Sequence, residues 1–214
     1  KSKFESLIMI KNSNKLMLTL LFACLMMLGH FLIIPFINPY MVFNNGYSKN
    51  ITPMIYMVGG AASFISSGIL GKLSDIHGKL KIFSICILLS LPLVIFVTHV
   101  PPIPFWIVLI GFAIWFTIST GRGIAGSALI SNFVDAKYRG SFMSYISSVQ
   151  QLGTSLASFI AGLIVVKAAD GKILHYKYLG YLSILILVLT FLLANFLFKN
   201  TDKSKNLAEV SKKA

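Results

Sequence analysis

Six stretches of this chain are each long enough to cross a bilayer and are almost wholly apolar, and no other feature limits the fold as much. A spanning helix needs about 20 mostly apolar residues. Runs that meet this fall at 16–43, 51–70, 80–98, 103–133, 140–166 and 178–198. Apolar runs of this length read as helices, because a helix satisfies its own backbone hydrogen bonds in lipid. With 56% hydrophobic and 12% charged residues, a water-soluble globular domain is excluded. The expected fold is an all-α integral membrane protein: a cytoplasmic linker at 1–15, a six-helix transmembrane bundle at 16–198, and a polar, basic, disordered cytoplasmic tail at 199–214.

The net charge of +13 could suggest nucleic acid, but the cations cluster in short segments between apolar runs. That pattern reports topology. With both termini cytoplasmic, the inner side carries fourteen lysines and arginines and the outer side four, Lys49, Lys167, Lys172 and Lys177; Arg122, inside a helix, is the nineteenth. Fourteen against four decides the orientation under the positive-inside rule. Cys24 and Cys86 both fall inside apolar runs, so they read as small core residues without a disulfide. Segment 1–15 has no signal-peptide pattern and no initiator methionine, so the chain reads as beginning within a longer protein.

The first run contains Pro35 and Pro39, each lacking a backbone donor, so its outer half should be kinked or broken. The freed carbonyls must then face protein or water. The second run is rich in small residues, Gly59 to Ser63 and Ser66 to Gly68, as in a helix packed closely on its neighbours. The third is nearly uniform in large aliphatic residues and should face lipid over much of its circumference. Between the second and third lies the charged hinge Gly71-Lys72-Leu73-Ser74-Asp75-Ile76-His77-Gly78-Lys79-Leu80-Lys81. Its glycines should allow close backbone approach, and Asp75 should cap the next helix.

Arg122, near the middle of the fourth run, costs several kcal/mol unless it reaches water, a carboxylate or carbonyls. Either it serves a function, holding an anionic ligand or a neighbour, or it snorkels to the interface. His30 could line a cavity, bind substrate or take up a proton, or be a buried histidine satisfied by a serine or carbonyl. Asn38, between the two prolines, could bond substrate or the broken backbone. The fifth run carries a polar stripe, Ser144, Ser148, Gln151, Ser155 and Ser158, with Gln150 alongside. Packing accounts for the serines, whereas glutamine amides need partners and favour a water-filled cavity. The candidate substrate cavity is therefore His30, Asn38, Arg122, Gln150 and Gln151. All six acidic residues lie outside the spans, so this chain offers no intramembrane carboxylate for proton coupling. His77, His99 and His175 sit on different sides, implying no metal site, and no cofactor is expected.

The hinge resembles the signature loop G-x-L-[ST]-D-x-x-G-[KR]-x-[KR] of the major facilitator superfamily, through Gly71, Leu73, Asp75, Gly78, Lys79 and Lys81. Ile76 departs from it, standing where that family often has arginine or lysine. Gly121-Arg122-Gly123-Ile124, Tyr138-Arg139-Gly140-Ser141-Phe142-Met143-Ser144 and Ser148-Val149-Gln150-Gln151-Leu152-Gly153 are similar to the C-terminal half of the family's bacterial drug-and-sugar efflux permeases. The resemblance implies a six-helix half built as a 3+3 inverted repeat. Helices 1, 2, 4 and 5 would line the cavity, and Asp75 and Arg139 would latch one state. Ala62-Ser63-Phe64-Ile65 recurs as Ala157-Ser158-Phe159-Ile160 in the helix at the matching place of the second triplet.

The resemblance further implies secondary active transport of a small solute by alternating access, as proton-coupled efflux across a bacterial inner membrane. Only one of the two halves such a carrier needs is present in this sequence. The expected partners are the lipid bilayer, a small-molecule substrate, and either an N-terminal six-helix half, on the same or a separate chain, or a second copy in a homodimeric carrier. A non-transporting membrane scaffold is the alternative. A membrane-embedded enzyme would need a convergent nucleophile, carboxylate pair or metal set, and none is visible.

Overall fold

The computed structural model describes residues 13–134 and 137–211, with side chains through Lys199. Linker residues 1–12, Asp135 and the last three residues of the tail lie outside the described residues. The elements are α1 (Asn14–Phe31), α2 (Ile34–Phe43), α3 (Met54–His77), α4 (Lys79–Thr98), α5 (Phe105–Phe133), α6 (Arg139–Ile164), a two-stranded hairpin β1 (Val166–Lys167) and β2 (Ile173–Leu174), and α7 (Tyr176–Ser211). Five units are long and apolar enough to cross a membrane: Asn14–Phe43, Met54–His77, Lys79–Thr98, Phe105–Phe133 and Tyr176–Lys199. Helix α6 is long enough, at 26 residues, and falls short in apolarity because of its serines and glutamines.

The first run breaks at Leu32 and Ile33, between α1 and α2. Pro35 sets this break, since it has no N–H to offer the Phe31 carbonyl. Hydroxyls of other helices supply donors around it. Tyr56 Oη donates to the Ile34 carbonyl at 3.1 Å and Tyr176 Oη to that of Ile33 at 3.4 Å, while Ser183 Oγ donates to Gly29. The broken backbone therefore faces protein, as hydrocarbon requires.

The hinge is much shorter than its sequence suggests. Helix α3 continues through Gly71 and Asp75 to His77, and α4 begins at Lys79, so the turn is the single residue Gly78 at φ +94°. Only glycine takes that conformation without strain. Two expectations are corrected here. Asp75 lies in the last turn of α3 and does not cap α4; its carboxylate pairs with Lys79 across the glycine at 3.1 Å, from an exposed position. Gly71 makes no close approach, for a Cβ there would meet open space. The ladder of α3 simply runs on past a glycine that a helix can tolerate.

The helices pack as a curved row in the order α3, α5, α4, α7, α1, α6. Helix α1 packs on α6 and α7 rather than on its neighbours in the chain, and α5 correspondingly packs on α3 and α4. Exchanging α1 for α5, α3 for α6 and α4 for α7 reproduces the main pairings. The tightest backbone crossing joins α1 and α6, where a Cβ on Gly153 would lie 2.6 Å from the Cys24 carbonyl oxygen. Phe22, Phe83, Phe112, Trp115, Phe142 and Phe198 fill the interior. The third run is only partly lipid-facing: Phe83, Cys86, Ile87, Ser90 and Val94 are buried, while Ile85, Leu88, Leu89 and Ile95 are exposed.

Away from Gly78, the loops are tied together. Asn44 uses both ends of its amide on Ile173, its Nδ2 donating to the carbonyl at 2.9 Å and its Oδ1 accepting the N–H at 2.8 Å. Asn45 donates to the Val100 carbonyl at 2.9 Å. The hairpin turns at Gly171, φ +87°, where the Asp170 carboxylate accepts the Lys172 backbone N–H at 3.1 Å. That hydrogen bond to its charged form holds the Asp170 pKa below its ordinary value. The sixth run is also longer than expected, because α7 remains helical to Ser211 where a disordered tail was expected from residue 199.

Candidate functional site

The five cavity candidates separate into two groups. His30 and Arg122 belong to the inside of the bundle. Arg122 is 4% exposed and lies about 16 Å along the axis from the C-terminal end of α5, so it does not snorkel. Its Nη1 donates to Ser90 Oγ on α4 at 3.3 Å, and Ser90 Oγ donates in turn to the Cys86 carbonyl at 2.7 Å. No carboxylate pairs with this guanidinium among the described residues.

One turn and two turns back along α5, on the same face, are Ser119 and Trp115. The His30 ring lies 5.0 Å from the Trp115 ring, tilted by 33°. His30 Nδ1 and Ser119 Oγ are enclosed and have no hydrogen-bond partner. So the interior holds an unpaired cation and two unsatisfied polar atoms at similar depth, in surroundings where such groups are costly. Asn38 lies further along, on α2, and its Oδ1 is likewise enclosed without a donor. Ser63 Oγ, on α3, is another such group.

Gln150 and Gln151 belong to a different surface. Gln151 is exposed on the uncovered side of α6, whereas Gln150 is half-buried, one turn from both the buried Ile146 and the buried Gly153. The hydroxyls around them are largely satisfied within the helix: Ser144, Ser147, Ser148, Thr154 and Ser158 each donate to the carbonyl four residues earlier, at 3.1–3.3 Å. The two glutamine amides make no such bond and have no partner among the described residues. A cavity of about 420 Å³ opens on the first half of this helix, beside Gly140, Ser141, Ser144, Tyr145 and Ser148.

Helix α3, at the opposite end of the row, is equally uncovered. Of its large residues, Phe64, Ile65, Ile69 and Ile76 are exposed, and Phe64 matches the exposed Phe159 of α6. The charged residues of the loop motif lie at the Gly78 end: Asp75 with Lys79 on α3 and α4, and Arg139 at the first position of α6. Arg139 Nε is enclosed without a partner among the described residues, and Asp75 and Arg139 form no ion pair with each other.

Sequence reasoning grouped Arg122 and His30 with the glutamines on one cavity wall, because chain position says nothing of facing, which depends on packing. It did not identify Ser90, Ser119 or Trp115 as their neighbours. The one available signal was Ser90 itself, a hydroxyl in the aliphatic run Leu88-Leu89-Ser90-Leu91. Among the described residues, no group of histidine, cysteine, aspartate and glutamate is arranged to hold a metal.

Comparison with protein families finds one described as Major Facilitator Superfamily, matching residues 19–213. Comparison with curated proteins finds no match.

Proposed function

Because this chain belongs to the Major Facilitator Superfamily, a family of membrane transporters, we propose that it forms the C-terminal six-helix half of a twelve-helix carrier that moves a small solute by alternating access. The observation that carries this reading is Gln151, exposed in the middle of α6 without a partner among the described residues, beside a half-buried Gln150 that has none either. Amides at that depth cannot be left to lipid, so the face meets water or a second protein surface. A two-half carrier provides both: a central aqueous cavity, and another six helices against α3 and α6. The mirrored pairings of the helix row, with the repeated Ala-Ser-Phe-Ile presenting an exposed phenylalanine on both α3 and α6, support a 3+3 inverted repeat within this half.

The finer assignments follow from the same reading. Orientation comes from the cation count, with both termini cytoplasmic in a bacterial inner membrane. Membership of the drug-and-sugar efflux branch rests on the motifs around Gly71 to Lys81, Arg122, Arg139 and Gln150. The solute is a small polar or anionic metabolite or a drug, since the candidate residues of this half, on its two surfaces together, are amides, hydroxyls, one histidine and one guanidinium, with no carboxylate in the spans. Proton coupling would then draw on His30 or on a carboxylate of the partnering half, which is on the same chain, on a separate one, or a second copy of this chain. Asp75 and Arg139, on helices at opposite ends of the row, would each meet that half and latch one state.

The test is solute-dependent proton movement in proteoliposomes with an entrapped pH indicator. The six-helix chain alone is compared with the chain joined to its preceding six-helix set, over a panel of anionic and neutral solutes. Movement in an assembly holding two six-helix sets is expected. Intact, correctly inserted protein that moves no solute and no proton in either form would favour the scaffold reading.

A further inference from the structure

At the end of the bundle away from Gly78, the last turns of α2 and α4, the hairpin and the first turn of α7 enclose a cavity of about 220 Å³. Its wall includes Tyr40, Asn44, His99, His175, Tyr176 and Lys177. This wall is preformed. Asn44 clamps β2 through both ends of its amide, the Tyr40 and Tyr176 rings stack at 4.6 Å, and His99 Nε2 meets Tyr181 Oη at 3.1 Å. His175 is held at φ +66°, with its Nδ1 on the Ile164 carbonyl at 3.2 Å, which leaves Nε2 without a partner among the described residues.

The charge of this wall has one sign. Lys177 is exposed, its ammonium 5.5 Å from the Tyr178 ring, and it forms no ion pair among the described residues. No aspartate or glutamate lines the cavity, and the nearby acid of the hairpin, Asp170, is already engaged by Lys172 at 3.4 Å. The Lys177 ammonium and the Tyr40 hydroxyl, which has no partner among the described residues, together make a donor set for an oxyanion.

The surroundings indicate the source of that oxyanion. The cavity sits where α4 and α7 begin and end beside each other, and below it both helices present apolar side chains outward: Leu88, Leu89 and Ile95 on α4, Leu185, Leu189 and Leu192 on α7. Tyr178 and Tyr181, 49% and 51% exposed, stand at the boundary in the manner of interfacial aromatic residues. An anion bound here lies at the edge of the hydrocarbon, directly above a surface suited to acyl chains. We propose that this cavity binds the phosphodiester headgroup of an anionic membrane lipid, with the acyl chains along α4 and α7. The inference needs only that the chain spans a bilayer, and it stands apart from the transport reading.

The test uses the full chain purified in detergent and titrated with short-chain phosphatidylglycerol, read by native mass spectrometry. One lipid should bind saturably. Lys177→Gln should weaken it about fivefold and Lys177→Glu more, since a lysine near a membrane surface contributes about that factor. Lys49→Gln, which alters an exposed cation outside the cavity wall, should bind as the parent does. Equal affinity in Lys177→Glu would overturn the site. Inorganic phosphate displacing the lipid at matched concentration would overturn the lipid source, reassigning the pocket to a soluble anion. Equal binding of a zwitterionic lipid would overturn the requirement for net negative charge.

Discussion

Gly153 should be among the least substitutable residues of the bundle. A Cβ there would stand 2.6 Å from the Cys24 carbonyl oxygen and 3.3 Å from its Cα and carbonyl carbon, all backbone atoms that cannot rotate away. Reaching ordinary contact, at 3.4 Å, means parting α1 and α6 by about 0.8 Å along their crossing. Overfilling of this kind costs about 1–3 kcal/mol, which is about 5- to 150-fold in the unfolding equilibrium. Gly153→Ala should therefore unfold at lower SDS fraction in mixed micelles, followed by tryptophan emission. Gly60→Ala, Gly71→Ala and Gly123→Ala, where a Cβ meets open space, should be neutral or slightly stabilising because alanine favours the helix. An unchanged Gly153→Ala midpoint would refute the close crossing, and loss of stability in Gly71→Ala would refute the account of the uncovered face of α3.

Two further substitutions probe the interior and the loops. Arg122→Met removes a buried charge that has only Ser90 as a partner, so it should raise stability by about 1–3 kcal/mol while lowering solute-coupled proton movement; a destabilised variant would mean that the charge is paired after all. Asn44→Ala removes both clamps on β2, and hydrogen exchange at the Ile173 amide should quicken about tenfold or more, with protection in α5 unchanged.

Five apolar helices were legible because hydrophobic length alone marks a candidate bilayer helix, and the break at Pro35 because proline chemistry is local. The facing of those helices was not. In a soluble protein the polar side of a helix reveals its orientation, but here lipid and core are both apolar, so Arg122 and Gln151 could be ranked by depth and not by direction. The close crossing at Gly153 also escaped notice, since a packing glycine and an idle one such as Gly71 look alike in sequence. The hairpin did leave a signal, Asp170-Gly171 between Val165-Val166 and Ile173-Leu174, which the search for spans passed over.

The central claim is that the glutamine-bearing face of α6 lines water in the middle of the membrane. Thiol accessibility tests it directly. In a chain with Cys24→Ala and Cys86→Ala, a single cysteine is placed at Gln151 or Ser155 on that face, or at Leu189 on the apolar side of α7, and membrane vesicles are treated with an impermeant maleimide. The account predicts labelling at Gln151 and Ser155 at least about tenfold faster than at Leu189. Equally slow labelling at all three positions, in protein that is inserted and folded, would contradict it.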